Sequence, residues 1–213
     1  MENIIENISI NELKKYFPNK NNVDFNKLQI TTEGLYSVSG FNAAEHLVHL
    51  ITKYFKKKDI DITDGTGNCG SDTIVFALNF KNVNTIELNE TNYKVLSNNV
   101  KQYNLKNVKL YEGSSLNIIP TLKKQDCIFI DAPWTGRDYK KNSSIKLFLD
   151  NKELSDIYTM FRKQTALFVF KVPINYDFTY FIQNTKLTKY YIHSYKNKHK
   201  VIKFYYIFVP TSE

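Results

Sequence analysis

Two clusters of residues in this 213-residue chain combine types that can do chemistry. The first is Asp131-Ala132-Pro133-Trp134, directly after the apolar run Cys127 to Ile130. It sets an aspartate and a φ-fixing proline beside the only tryptophan of the chain. Such a turn can present an exocyclic amine of a nucleobase to an electrophile. That amine is a poor nucleophile because its lone pair is delocalised into the ring. The turn must therefore align the nitrogen and stabilise the positive charge that develops on it. Asp131 and the Ala132–Pro133 carbonyl region can accept its hydrogens, and Trp134 offers a stacking face. The competing reading is a surface turn closed over a buried Trp.

The second cluster is Asp64-Gly65-Thr66-Gly67-Asn68-Cys69-Gly70, a Gly-x-Gly-x-x-Gly pattern with Glu87 about twenty residues on. Glycines admit close backbone approach, and the helix start after them favours an anionic group. In an S-adenosylmethionine (SAM) site that anion is the methionine carboxylate. Asp64, with the neighbouring Thr66 and Gly70, would face the methionine end, the acid pairing with the α-amino group. Glu87 would accept hydrogen bonds from the ribose hydroxyls. Alone, the pattern fits a nicotinamide-cofactor enzyme or a plain strand-to-helix turn equally well.

The elements that must position these clusters are legible from hydrophobic period. A short helix is expected over Ile8 to Tyr16, ended by Phe17-Pro18, then irregular chain from Asn19 to Thr32. A helix follows over Phe41 to Phe55. Strands are expected at Asp59 to Thr63, Val83 to Leu88, Val108 to Tyr111, Cys127 to Ile130 and Ala166 to Val172. Helices alternate with them, opening at Thr73 and spanning Asn92 to Tyr103 and Leu116 to Leu122. Thr188 to Ser194 and Val201 to Val209 read as a closing antiparallel hairpin around the Lys/Asn-rich turn 196–200. The fold class expected is α/β and Rossmann-like: a mostly parallel seven-stranded sheet with helices on both faces and a C-terminal antiparallel hairpin. Residues 1–40 read as an N-terminal extension contributing to the site, and 41–213 as the catalytic domain.

The formal charge of +8 and pI near 9.2 favour polyanionic partners, nucleic acid above all. Cys69 and Cys127 lack metal-ligand spacing, no metal site is expected, and none of the four histidines has a catalytic partner pattern. The N-terminus has no long apolar stretch, so an intracellular protein, nuclear or cytoplasmic, without a membrane partner is expected.

The residues resemble the trimethylguanosine synthase family, the RNA cap guanine-N2 methyltransferases, from about Leu28 to Val209. Glu33-Gly34-Leu35-Tyr36-Ser37-Val38, followed by Ala44-Glu45-His46-Leu47, is similar to that family's Glu-Gly-Trp-Phe-Ser-Val segment and next helix. Asp64 with Gly70 and Thr73-Ile74 resembles its cofactor turn, and Glu87 falls on its ribose-binding acid. Pro133-Trp134 with Gly136 and Asp138-Tyr139 resembles its Pro-Pro-Trp-Gly-Gly-Pro-Asp-Tyr. The resemblance implies SAM as cofactor, a monomer, and capped RNA as partner. It gives Trp134 the role of stacking on cationic 7-methylguanine, an interaction of about 2 kcal/mol when desolvated. Tyr36 and Tyr139 join the substrate set.

Several positions depart from the family pattern. Asp131-Ala132 replaces its Ser-Pro, which brings the turn closer to the Asp-Pro-Pro-Trp of adenine-N6 enzymes. Leu35-Tyr36 replaces Trp-Phe, and Asn68 and Ser71 stand where glycines are usual. Ser114 stands where many methyltransferases place an acid that reads the cofactor's adenine amine. Lys171, in Phe170-Lys171-Val172-Pro173, is expected to touch the cap phosphate or substrate edge, or else to reach solvent. It also suggests ribose 2′-O chemistry, where a lysine eases hydroxyl attack, but such chemistry needs further Lys and Glu partners and the amine-presenting turn argues against it. Arg137, Lys140 and Lys141 are further phosphate candidates. The reading is N2 methylation of the RNA cap, with adenine-N6 methylation and a catalytically silent cap-binding subunit as rivals.

Overall fold

The structure, a computed structural model, describes residues 3–6, 8–134, 136 and 138–211. The chain divides into two compact units, Met1–Gly113 and Ser114–Glu213. Seven strands form the main, mostly parallel sheet, three contributed by the first unit and four by the second.

In the first unit a short helix α1 (Ile10–Leu13), capped by the Ser9 side chain, is followed by α2 (Gly34–Ser37) and α3 (Phe41–Phe55). Then come β1 (Asp61–Asp64), α4 (Ser71–Asn79), β2 (Asn82–Glu87), α5 (Glu90–Gln102) and β3 (Val108–Glu112). The three strands lie in the order β3-β2-β1, each pair parallel. α5 starts under Asn89, whose side chain accepts from the Asn92 N–H at 2.9 Å, leaving Val95, Leu96 and Val100 on the buried face. The expected helix over Ile8 to Tyr16 shrinks to one turn. Asn19 to Thr32, expected to be irregular, has a 3-10 turn at Phe25–Lys27 and supplies Phe25, Leu28 and Ile30 to a core with Leu13, Phe17, Ile74 and Leu96. Its polar spacing hides these residues from a periodicity search, because one apolar side chain every two or three positions matches no single element.

The second unit holds α6 (Ser115–Ile118), β4 (Gln125–Ile130), a two-rung hairpin β5 (Phe148–Leu149) and β6 (Lys152–Glu153), and α7 (Leu154–Phe161). β7 (Thr165–Pro173), α8 (Phe178–Thr185), β8 (Tyr191–Lys196) and β9 (Ile202–Pro210) complete it. The order is β4-β7-β9-β8: β4 and β7 are parallel, while β9 runs antiparallel to both β7 and β8. β7 is buried almost throughout, as its unbroken apolar run demands of a central strand. Phe168 and Phe170 stack along it with centroids 5.2 Å apart, and Phe181 of α8 meets Phe170 edge-on at 5.6 Å. α7 and α8 had no counterpart among the expected elements. α7 opens at Glu153, an uncommon cap residue, whose carboxylate accepts from the Ser155 N–H at 2.6 Å. No helix among the described residues is long and apolar enough to cross a membrane.

Candidate active site

In the first unit β1 ends on Asp64, which is fully buried. One carboxylate oxygen accepts from the Thr66 N–H at 3.2 Å and the other from the Thr73 hydroxyl at 2.6 Å. Asp64 therefore pins the turn to the first turn of α4, a structural duty the sequence pattern did not separate from cofactor contact. Gly67 and Gly70 are required by packing. A Cβ on Gly67 would stand 2.5 Å from Thr85 Cγ2, and one on Gly70 would stand 2.8 Å from Leu96 Cδ1. Gly70, at φ 92°, also opens α4 in the left-handed region with no side chain to cap the helix amides. Asn68, where a glycine is usual, takes φ 45°, a conformation asparagine tolerates.

Asn68 also ties the turn to the expected ribose acid. Its N–H donates to Glu87 Oε2 at 2.6 Å, and the Asn89 N–H donates to Oε1 at 2.8 Å. Burial pushes the Glu87 carboxyl above the usual range, and nearby Glu33 adds to this, while the backbone N–H donors of Asn89 and Asn68 oppose it. Its carboxylate keeps acceptor capacity beyond those bonds, which suits a diol. The acid and the uncapped helix start thus fit the ribose and carboxylate ends of SAM, which when bound supplies an electrophilic methyl on sulfonium sulfur.

The segment before α3 reaches this turn. A Cβ on Gly34 would meet Cys69 Sγ at 2.6 Å, so the close approach of α2 explains the Glu33-Gly34 pair. Ser37 Oγ accepts from the Asn68 side chain at 2.9 Å, and the Ser71 hydroxyl donates to the Tyr16 carbonyl at 2.6 Å. Buried Asn92 takes the Thr31 hydroxyl at 2.8 Å and reaches Glu33 at 3.4 Å. Tyr36, an expected substrate contact, is 61% exposed on α2.

In the second unit β4 delivers Asp131 and β7 delivers Lys171, and the two form an ion pair. Lys171 is 2% exposed and the Asp131 side chain 16%. Lys171 therefore does not reach solvent. Strand β7 is too deeply covered at this point, and the ammonium is held by the acid. Burial raises the Asp131 carboxyl above its ordinary value, while the Lys171 ammonium and, more weakly, the Trp134 indole N–H pull it down. The indole nitrogen is itself buried and lies outside hydrogen-bond geometry.

Trp134 is half-buried in an aromatic group. Tyr139 meets it at 5.2 Å and Phe204 at 6.1 Å, both edge-to-face, and the Lys171 ammonium lies 5.6 Å from its ring. Asn175 holds the Tyr139 and Asn142 carbonyls at 2.8 and 2.9 Å, fixing the loop that carries Tyr139. Phe204 and Asn175 were not singled out from sequence, since neither lies near a motif. Ala132 is buried and Pro133 exposed. Lys140 and Lys141 are exposed, the latter paired with Asp138 at 2.9 Å, and Arg137 lies outside the described residues.

Ser114 caps α6, accepting from the Leu116 N–H at 3.1 Å, and its hydroxyl meets Asp150 at 2.5 Å. Asp150 sits at the tip of the β5–β6 hairpin with φ 54°. The acid absent at position 114 in sequence is thus present beside it in space, 36 residues further along.

Residues 59–209 match the RNA cap guanine-N2 methyltransferase family, and this stretch covers most of the chain. The chain belongs to that family. An uncharacterized protein of Acanthamoeba polyphaga mimivirus is 34% identical over 137 residues, 62% of this chain and 53% of that protein, so the chain spans about half the length of the curated relative it matches. The fold recurs in a proposed methyltransferase from Porphyromonas gingivalis at a TM-score of 0.68 and 17% identity, over 85% of this chain and 43% of that one. A precorrin-6y methyltransferase from Geobacter metallireducens matches at 0.60 and 15% identity, over 90% of this chain and 97% of the other. An rRNA methylase from Streptococcus thermophilus matches at 0.54 and 11%, over 79% and 94%. Family membership and the recurring fold agree with the Rossmann-like sheet expected from sequence.

Proposed function

We propose that the protein transfers a methyl group from SAM to the exocyclic N2 amine of the 7-methylguanosine cap of RNA. The observation that carries this is the Trp134 group: an indole edged by Tyr139 and Phe204, on the same turn as an acid at the end of β4. A 7-methylguanine ring is cationic and stacks well on an electron-rich indole. Asp131 would accept a hydrogen of the amine; as the nitrogen–methyl bond forms, the methyl–sulfur bond of SAM would break and S-adenosylhomocysteine would leave, with the carboxylate stabilising the positive charge that grows on nitrogen. The proton then leaves from nitrogen to Asp131 or to water. Family membership supports the same acceptor atom.

The test is methyl transfer to m7GpppA, GpppA and an adenine-containing oligonucleotide, read by mass spectrometry of the released nucleosides. A methyl on the guanine base of m7GpppA alone is expected. Transfer to adenine, or to no substrate despite cap binding, overturns the proposal. A second reading rests on the Lys171–Asp131 pair, because an ammonium beside an acid also suits methylation of a ribose hydroxyl, which it makes easier to deprotonate. A methyl on ribose in the same assay would select that reading.

A further inference from the structure

The β8–β9 hairpin carries charge that none of the groups above uses. From Phe178 to Thr211 the chain has six lysines, Lys186, Lys189, Lys196, Lys198, Lys200 and Lys203, and not one Asp or Glu. All six are exposed. Most of the +8 of the whole chain is therefore concentrated on this one stretch.

Its tip is closed around Asn197. Asn197 Oδ1 accepts from the His199 N–H at 3.1 Å and the Val201 N–H at 3.0 Å, the Asn197 N–H donates to the Val201 carbonyl at 3.0 Å, and Lys200 takes φ 61°. Lys198 and Lys200 thus project from a closed turn, which lowers the ordering cost of binding a chain of anions. β8 ends the sheet in the second unit, and Tyr190, Tyr191 and Ile192 on and before it are 37%, 42% and 43% exposed. Lysines on an edge strand can serve only to block strand addition. That role does not account for Lys198 and Lys200, which lie on the turn beyond the ladder.

An aromatic line joins this hairpin to the site. Tyr195 stacks on Phe204 with centroids 4.8 Å apart and planes 15° from parallel, and Phe204 meets Trp134 edge-on. Phe204 is itself buried, so this line fixes the hairpin against the site, while exposed Tyr190 and Tyr191 beside the exposed lysines offer the base faces and cations that a single-stranded nucleic acid needs. We infer that the β8–β9 hairpin is a docking surface for the phosphodiester backbone of single-stranded RNA, the strand continuing from a cap held at Trp134. This rests on the cap reading for its direction, though not for its chemistry.

The test compares the full chain with a Lys196→Ala/Lys198→Ala/Lys200→Ala variant. Binding of an uncapped oligoribonucleotide of about 12 nucleotides is measured, and binding and methylation of m7GpppA are followed beside it. The variant should bind the oligonucleotide roughly tenfold more weakly, and its slope of log K against log salt between roughly 50 and 200 mM should be shallower by about 2, near −0.7 for each lost contact. Its thermal melt and its handling of m7GpppA should match the parent's. Unchanged RNA affinity and slope would overturn the inference, as would stronger binding to phosphatidylserine vesicles than to RNA. Because the oligonucleotide has no cap, failure of the cap reading leaves this result standing on its own.

Discussion

Lys171 gives its ammonium to Asp131 in a pair that is 2% and 16% exposed, so the acid of the amine-presenting turn does not act as an isolated base. Burial pushes that carboxyl up, and the lysine is the principal group holding it down. A charge at this depth is tolerable only with its partner, since breaking a buried pair by removing one member costs about 3–5 kcal/mol. The pair also orders the turn, because Lys171 lies on central strand β7, in register with Tyr206 of β9.

Lys171→Met removes the cation at similar volume and leaves burial unopposed, so the Asp131 carboxyl rises further. Two effects should follow. The acid limb of the pH–rate profile should move to higher pH, because Asp131 must be ionised to take the amine's proton. Stability should be retained at low pH and lost as pH rises through the raised pKa of the folded state, because the native acid then binds its proton more tightly than the unfolded one. Denaturant titrations across pH and a kcat profile check both, and an unchanged profile would remove Asp131 from the proton's path.

Trp134→Ala should lower kcat/KM for m7GpppA by roughly 30-fold, the equivalent of about 2 kcal/mol of lost stacking, while SAM affinity measured by calorimetry stays within roughly twofold. Trp134→Phe should recover part of the loss, since a benzene face stacks less strongly on a cation than an indole does. Equal activity in the alanine variant would eliminate the stacking role.

For Glu87 the prediction concerns the cofactor. Its carboxyl lies above the usual range because of burial, so protonation begins at a higher pH than for an exposed glutamate. Protonation turns an acceptor of ribose hydroxyls into a donor. SAM affinity should therefore weaken as pH falls, earlier than an ordinary carboxylate would predict, and Glu87→Gln should weaken it by roughly tenfold at neutral pH and flatten that dependence. Calorimetric titration at several pH values decides the matter.

Asp150→Gly separates fold from function at the Ser114 contact. Glycine takes φ 54° without strain, so the hairpin should melt no lower than the parent's. If Asp150 supplies the adenine-reading acid that position 114 lacks, SAM affinity should drop while S-adenosyl analogues without the 6-amino group bind the two proteins alike. A uniform loss across both ligands would mark the Ser114–Asp150 bond as structural only.

The sheet was legible because its strands are short apolar runs cut by turns, and period 2 gives way cleanly to period 3.6. What stayed hidden depended on distance along the chain. Asp150 stands beside Ser114 only after the β5–β6 hairpin folds, and Phe204 meets Trp134 only across β7 and β9. Lys171 read as a strand-end lysine because burial of a lysine has no sequence signature; its counter-ion is 40 residues away. Helix α7 is hidden by its cap, Glu153, which is not among the preferred Ser, Thr, Asp and Asn, and α8 spans only eight residues.

The glycine turn meets a packing demand beside the ligand approach that its pattern suggests. A Cβ on Gly67 would stand 2.5 Å from Thr85 Cγ2 and 3.0 Å from Leu96 Cδ2, both inside the first unit, and the Gly67 N–H is tied to the Ile86 carbonyl at 2.9 Å. Neither methyl can retreat freely, because Thr85 is fully buried on β2 and Leu96 is buried on α5. Gly67→Ala should therefore cost about 1–3 kcal/mol by overpacking, visible as a lower denaturation midpoint with or without ligand. If the glycine were present chiefly to admit the cofactor, the same substitution would leave the ligand-free protein as stable as the parent and weaken only SAM binding. Parallel melts with and without saturating S-adenosylhomocysteine tell the two apart: packing predicts equal losses in both, and ligand approach predicts a loss only where ligand is present.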